Sequence, residues 1–319
     1  MDKGLTNLIL ELTKAQRIAE VDHVQTLWSG FGSLDRVLLE SSNVNSVVIK
    51  RIQPPTKMNH PRGWDTDVST QRKLKSYEVE RRWYENYVPG LPEDIKVPNL
   101  LGYYENEDST TLIMEDLKDS GFNHDFYSSP KDSFEACLEW LANFHAFHLF
   151  AEPSGLWEIG TYWHLDTRQE ELKVMSDGAL KHHAKNIDET LNSCEYKTIV
   201  HGDAKPANFL FSKEGQAAAV DFQYVGGGCG MKDVVYLMSS ALDEKDLFER
   251  DSEIIERYFE LLKLALGKYD VRNIDLDELK EEWSSMYKYA WLDFMRFLEG
   301  WSPGHSRLNS YTKRLLESI

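Results

Sequence analysis

The stretch that decides the fold is His201-Gly202-Asp203-Ala204-Lys205-Pro206-Ala207-Asn208, followed downstream by Asp221-Phe222-Gln223. Asp203 and Asn208 stand five residues apart (208 − 203), and Asp221 follows Asn208 by thirteen (221 − 208). Between them Phe209–Phe211 and Ala217–Val220 read as short apolar strands joined by the turn Lys213-Glu214-Gly215. Such a hairpin returns Asn208 and Asp221 to the same end, which gives the spacing a geometric reason. Either fragment alone is an ordinary loop with capping aspartates; order and spacing together make a candidate site.

Outward from this stretch the chain changes texture twice. Residues 2–21 have the pattern of an amphipathic helix, and Val24–Leu27, Asp35–Leu39 and Ser46–Ile52 read as strands. A loop with Pro54, Pro55, Pro61 and Gly63 leads to helical periodicity over 70–87, then to strands at Leu100–Tyr104 and Thr111–Met114. After Glu115-Asp116-Leu117 the composition turns helical, with long amphipathic segments at Ser133–Phe150, Asp246–Leu266 and Leu276–Gly300 and a polar one over 165–195. A β-rich part followed by a larger helical part predicts an α+β chain with a boundary near 115–118.

Bulk properties narrow the function. The 319 residues suit two lobes, and 41% hydrophobic with 28% charged residues is ordinary for a globular chain. With 53 acidic against 36 basic residues the net charge is −17, which opposes nucleic-acid binding. A basic island from Lys50 to Arg82, including Lys57, Arg62, Arg72 and Lys73, reads as a solvated helix face. Three scattered cysteines, Cys137, Cys194 and Cys229, make neither a disulfide framework nor a zinc site, and fit the reducing cytoplasm. No apolar run is long enough to predict a membrane span, and the N-terminal stretch lacks a signal core.

The chemistry these residue types support is phosphoryl transfer from ATP. It needs a base for the acceptor hydroxyl and oxygen ligands for Mg2+. Asp203 can take the hydroxyl proton, Asn208 and Asp221 supply a neutral and a charged oxygen to the metal, and Lys205 can neutralise the moving phosphoryl group. In Val47-Val48-Ile49-Lys50, alternation puts Val48 and Lys50 on one strand face. A lysine there needs a partner. Glu80 shares a helix face with Tyr77, Trp83, Tyr84 and Tyr87, so Lys50–Glu80 is the expected ion pair.

His-Gly-Asp-x-x-x-x-Asn followed by Asp-Phe-x resembles the aminoglycoside phosphotransferase and choline kinase superfamily. Gly30-Phe31-Gly32, Ser76-Tyr77-Glu78-Val79-Glu80 and Gly300-Trp301-Ser302-Pro303 are most similar to its CHK-type, ecdysteroid-kinase-like branch. The resemblance covers about residues 24 to 303. It implies a protein-kinase-like two-lobe fold: a small antiparallel N-lobe over 1–114, a hinge at 115–117 and a helical C-lobe over 118–319. It implies Lys50 on the α- and β-phosphates, Val48 over adenine, and backbone groups of Glu115 and Leu117 at the hinge. Gly30-x-Gly32-x-x-Asp35-x-Val37 matches a kinase phosphate loop except at Asp35, which implies nucleotide contacts from Ser29, Gly30, Gly32 and Val37. It makes Asp233 a brace for the catalytic loop and His201 a structural residue. The expected partner is a small hydroxyl-bearing acceptor, and the expected state a monomer or homodimer.

Three alternatives stay open. A protein kinase is disfavoured because only eleven residues lie between Asp221 and Asp233 (233 − 221 − 1), with no Ala-Pro-Glu after them. A nucleotide-binding pseudokinase is opposed by the full set of polar residues, Gln223 after Asp221-Phe222 being the main departure. A metal-dependent hydrolase needs more carboxylates or histidines around Asp203. His145 and His148 read as core or surface histidines, and the stripe Trp291, Phe294, Phe297, Leu298, Trp301 as core before acceptor-binding surface.

Overall fold

The computed structural model describes residues 1–54, 66–272 and 274–319. Most of the proline-rich loop expected after Ile52, with Lys57 and Arg62 of the basic island, lies outside these residues. The chain forms two compact units: Met1–His124 with Leu210–Val220, and Asp125–Phe209 with Asp221–Ile319.

The first unit begins with α1 (Lys3–Thr13), capped by Asp2, whose carboxylate accepts from Leu5 N–H at 2.9 Å. The expected helix over 2–21 is therefore shorter. It ends where Lys14 turns left-handed at φ 57°, and Arg17–Thr26 becomes β1 instead. The sheet continues with β2 (Gly32–Glu40) and β3 (Ser46–Ile52), then α2 (Asp67–Asn86), β4 (Leu100–Glu105) and β5 (Thr110–Glu115). All neighbours pair antiparallel in the order β1-β2-β3-β5-β4. One face packs Val37, Val47, Ile49 and Ile113 beneath Leu5 and Ile9 of α1. Near the other, Leu34 and Ile52 pack with Tyr77 and Leu74 of α2.

In the second unit α3 (Pro130–Phe147) precedes α4 (Gln169–Val174), α5 (Ala179–Asn192) and the short strand β6 (Thr198–Val200). The hairpin β7 (Phe209–Phe211) and β8 (Ala217–Ala219), most of which belongs to the first unit, forms as the motif spacing predicts, with Gly215 in its turn at φ 84°. Then follow β9 (Gly226–Gly228), α6 (Met231–Ala241), α7 (Glu244–Lys268), α8 (Leu276–Trp301) and α9 (Ser310–Leu316). α8 is the organising helix, flanked by α4, α5, α6 and α9. Trp291, Phe294, Phe297 and Leu298 on it are buried, as a core stripe requires, while Trp301 at its end is only half-buried. The three cysteines are free thiols, all buried and all in this unit. Among the described residues no helix is long and apolar enough to cross a membrane.

Candidate active site

β6 leads into the loop over residues 201–208, and that loop is held by a side chain from α6. The Asp233 carboxylate accepts from His201 N–H at 2.6 Å and from Gly202 N–H at 2.9 Å. Asp233 is fully buried, and His145 Nε2 lies 3.1 Å from it while His145 Nδ1 meets the Tyr258 hydroxyl at 2.7 Å. His145 thus belongs to the loop's support, a role the sequence did not reveal. Gly202 has φ 79°, and a Cβ there would stand 2.1 Å from Tyr224 O, so only glycine fits. His201 is buried against Phe222 and accepts from Asp203 N–H at Nδ1, which makes it structural.

The candidate catalytic side chains follow within a few residues. Asp203 Oδ2 accepts from Asn208 Nδ2 at 2.9 Å and from Lys205 Nζ at 2.9 Å. Asp203 Oδ1 is buried and among the described residues no donor reaches it within hydrogen-bond distance, although the Tyr236 hydroxyl stands close enough to interact with the carboxylate. A buried carboxylate oxygen with an unmet acceptor is costly unless something fills it. Burial alone would lower the Lys205 ammonium's pKa, but Asp203 and then Asp221 outweigh it and hold it above its ordinary value. Asn208 spends its amide N–H groups on Asp203 O and Oδ2, which leaves its Oδ1 as an acceptor. Asp221 sits at φ 70°, a conformation aspartate tolerates better than most, and Gln223 Nε2 donates to its Oδ1. Gln223 is therefore an orienting residue for Asp221. Among the described residues no three His, Cys, Asp or Glu side chains cluster as metal ligands. One amide oxygen and one carboxylate fit Mg2+, which completes its shell with water and phosphate.

In the first unit, Lys50 and Glu80 are brought together. Lys50 Nζ lies 2.8 Å from Glu80 Oε1 and 2.7 Å from Oε2, with the residues 4% and 1% exposed. Val48 shares the Lys50 face. Val37 does not: it pairs with Val47 and is sealed beneath α1, on the opposite face of the sheet. The motif match at Val37 ignored the antiparallel register, which puts Leu34 beside Lys50 instead. The glycine loop also departs from expectation. Gly30 N–H is already donated to Leu27 O at 3.0 Å, so it has none to offer a phosphate. Gly32 is there for close approach, since a Cβ would meet Arg51 O at 1.9 Å. Ser29 is left-handed at φ 58°, and its Oγ is buried without a partner. Asp35, the departure from the motif, is a strand residue bonded to His23 Nδ1 at 2.8 Å and Ser33 Oγ at 2.6 Å.

At the expected hinge, Glu115 N–H donates to Asn99 O and Leu117 O accepts from Phe122 N–H, while nothing accepts from Leu117 N–H among the described residues. The Glu115 carboxylate is held by Lys96 at 2.7 Å. Asp116, unremarked in the sequence, anchors the segment through Arg36 Nε at 2.5 Å and Ser46 Oγ at 2.7 Å. Trp163 and His164 are buried, and the Asp166 side chain is turned to solvent.

Comparison with known proteins matches this architecture. Amicoumacin kinase hAmiN, solved with AMP-PNP and Ca2+, superposes with TM-score 0.57 at 10% identity, covering 100% of this chain and 94% of that one. The fold is protein-kinase-like. Macrolide 2'-phosphotransferase MphH from Brachybacterium faecium superposes with TM-score 0.52 at 14% identity, covering 98% of each chain. Choline kinase LicA from Streptococcus pneumoniae gives TM-score 0.51 at 13% identity, covering 99% of this chain and 96% of that one. The family DUF1679, described as "Uncharacterized oxidoreductase dhs-27", matches residues 164–301, a span that contains Asp203, Asn208 and Asp221. No curated protein sequence matches.

Proposed function

We propose that this chain is a small-molecule kinase that uses ATP and Mg2+ to phosphorylate a hydroxyl group. The observation that carries the reading is Asp203: one carboxylate oxygen is fixed by Asn208 and Lys205, and the other is buried with no partner. That is the arrangement of a general base awaiting a proton. The acceptor hydroxyl donates to Oδ1, and its proton passes there as its oxygen bonds to phosphorus and the phosphorus–oxygen bond to the ADP leaving group breaks. Lys205 sits beside that oxygen to offset developing negative charge.

ATP supplies the phosphoryl group, and Mg2+ neutralises its charge. Asn208 and Asp221 would hold the metal, with Gln223 fixing the Asp221 carboxylate. In the first unit, Lys50, aimed by Glu80, would take the nucleotide's phosphates, Ser29 and Gly32 would flank them, and Val48 with Leu34 would face the base. Leu117 N–H and the carbonyl of Glu115 would read its edge. A small acceptor is favoured over a peptide because the segment from Asp221 to Asp233 is consumed by β9, paired with β6, and the start of α6.

The test is an ADP-release screen over amino alcohols, sugars, sterols and hydroxy acids with Mg2+, repeated with Asp203→Ala. Turnover that vanishes in the variant while ATP still binds supports the reading. Unchanged turnover in the variant, or activity confined to peptides, would overturn it.

A further inference from the structure

Against Gly202 the second unit carries a threonine in a backbone conformation that suits glycine. Thr161 lies between α3 and α4 at φ 101°. The other non-glycine residues with positive φ among the described residues are Lys14, Ser29, Ser41, Phe150, Asp221 and Asp270, all between 51° and 70°, and none of them is β-branched. Two heavy atoms on Cβ make such a conformation costly, and glycine would remove the cost. The segment is held there by its neighbours. Gly160 N–H donates to Gly227 O at 2.8 Å, Thr161 N–H to Tyr224 O at 3.1 Å and Tyr162 N–H to Gly202 O at 3.3 Å. A Cβ on Gly202 would stand 2.8 Å from Thr161 N, so Thr161 is packed on the residue that precedes Asp203.

The side chain explains why glycine is not there. Thr161 is 3% exposed, and its Oγ1 is buried with no partner among the described residues. Other buried threonines of this unit spend their hydroxyls, Thr198 on His145 O at 2.8 Å and Thr312 on Arg307 O at 2.8 Å. A strained backbone that carries a hydroxyl bonded to nothing in the chain points to something outside the chain. A second unmet atom lies across Gly202: Asp203 Oδ1 is also buried, with no donor within hydrogen-bond distance. One of the two can donate or accept, and the ionised carboxylate can only accept. Tyr162, next in the chain, is half-buried, so this edge of the segment is open to a ligand.

We propose that Thr161 is an acceptor-binding residue: the acceptor hydroxyl donates to Asp203 Oδ1 while its oxygen accepts from Thr161 Oγ1. The inference rests on the kinase reading and adds a contact to it. One bond sets the distance of the attacking oxygen, and two set its direction towards phosphorus. Its second lone pair stays free for the attack. A water molecule in the acceptor's place makes both bonds as well, so basal ATP hydrolysis also depends on Thr161.

The test measures ADP release from ATP and Mg2+ by the full chain, with water alone and with the amino alcohols, sugars, sterols and hydroxy acids named above. Wild type is compared with Thr161→Val, which keeps the shape and removes the hydroxyl, and with Thr161→Ser, which keeps the hydroxyl. In Thr161→Val the rate should fall ~10-fold, the cost of one hydrogen bond, while calorimetry gives an unchanged Kd for ATP. Its Tm should equal or exceed that of wild type, because a hydroxyl without a partner gives way to a methyl group. Thr161→Ser should keep most of the rate. A lower Tm for Thr161→Val overturns the proposal, since the hydroxyl is then held within the chain or by a structural water. Equal loss of rate in both variants, or a parallel loss of ATP affinity, also overturns it. Unchanged ADP release in Thr161→Val alongside its loss in Asp203→Ala removes Thr161 and leaves the kinase reading standing. No ADP release by wild type with any acceptor removes both.

Discussion

At the scale of single residues, the site is organised by what each carboxylate is asked to hold. Asp203 keeps one oxygen for its neighbours and one in reserve. Asp203→Asn preserves shape and removes the proton acceptor, so turnover should fall ~100-fold or more while nucleotide affinity stays near wild type. A steady-state rate beside a nucleotide titration separates the two quantities. Asp233 does the opposite and spends both oxygens on backbone amides of His201 and Gly202. Asp233→Ala leaves two buried N–H groups and His145 without their acceptor. Stability should drop by about 3 kcal/mol in urea denaturation, with loss of activity. Equal stability would show that the loop is held by something other than Asp233.

At the scale of elements, α2 delivers a carboxylate to a lysine on β3. Glu80→Ala takes that carboxylate from a buried ammonium and should cost about 3 kcal/mol, whereas Glu80→Gln, which keeps a hydrogen-bond acceptor, should cost less. Denaturant midpoints for the pair of variants check this. Helices and strands with strong periodicity were legible, and so was the hairpin set by the spacing from Asn208 to Asp221. Only the end of β1, from Val24, was read as a strand; the rest was not, because most of it is exposed on both faces and has no apolar alternation to read. β9 was not, because its sequence is three glycines, which argue against a strand. They are needed because the backbones run close: a Cβ at Gly226 would stand 2.2 Å from Trp157 O. In the site, residues given by local motif spacing were readable. Leu34, Asp116 and His145 were not, since their meaning comes from pairing register or from partners far along the chain.

At the scale of the whole molecule, acidity and a buried histidine set the limits of stability. Burial first, and the neighbouring His145 second, lowers the His148 pKa from 6.5 to about 3. The folded form therefore stays neutral where the unfolded form takes up a proton. The contribution of neutral His148 is present above pH 6.5 and is lost as pH falls towards 3, by about 2 kcal/mol at pH 5. His148→Leu should flatten that slope in melts between about pH 6.5 and 5; an unchanged slope would assign the effect elsewhere. The net charge of −17 adds self-repulsion, so Tm should rise as NaCl goes from ~0.02 to ~0.3 M.

The three thiols give the second unit a clock of its own. Cys137, Cys194 and Cys229 are all buried, and burial pushes the pKa of Cys137 well above the ordinary thiol value, so the native chain is closed to alkylating reagents. Neither Met1–His124 nor Leu210–Val220 contains a cysteine. Labelling rates therefore time the opening of the helical unit alone, while tryptophan and circular dichroism report both. A ligand of the sheet-bearing unit should leave the labelling rate untouched, and a ligand seated in the helical unit should slow it.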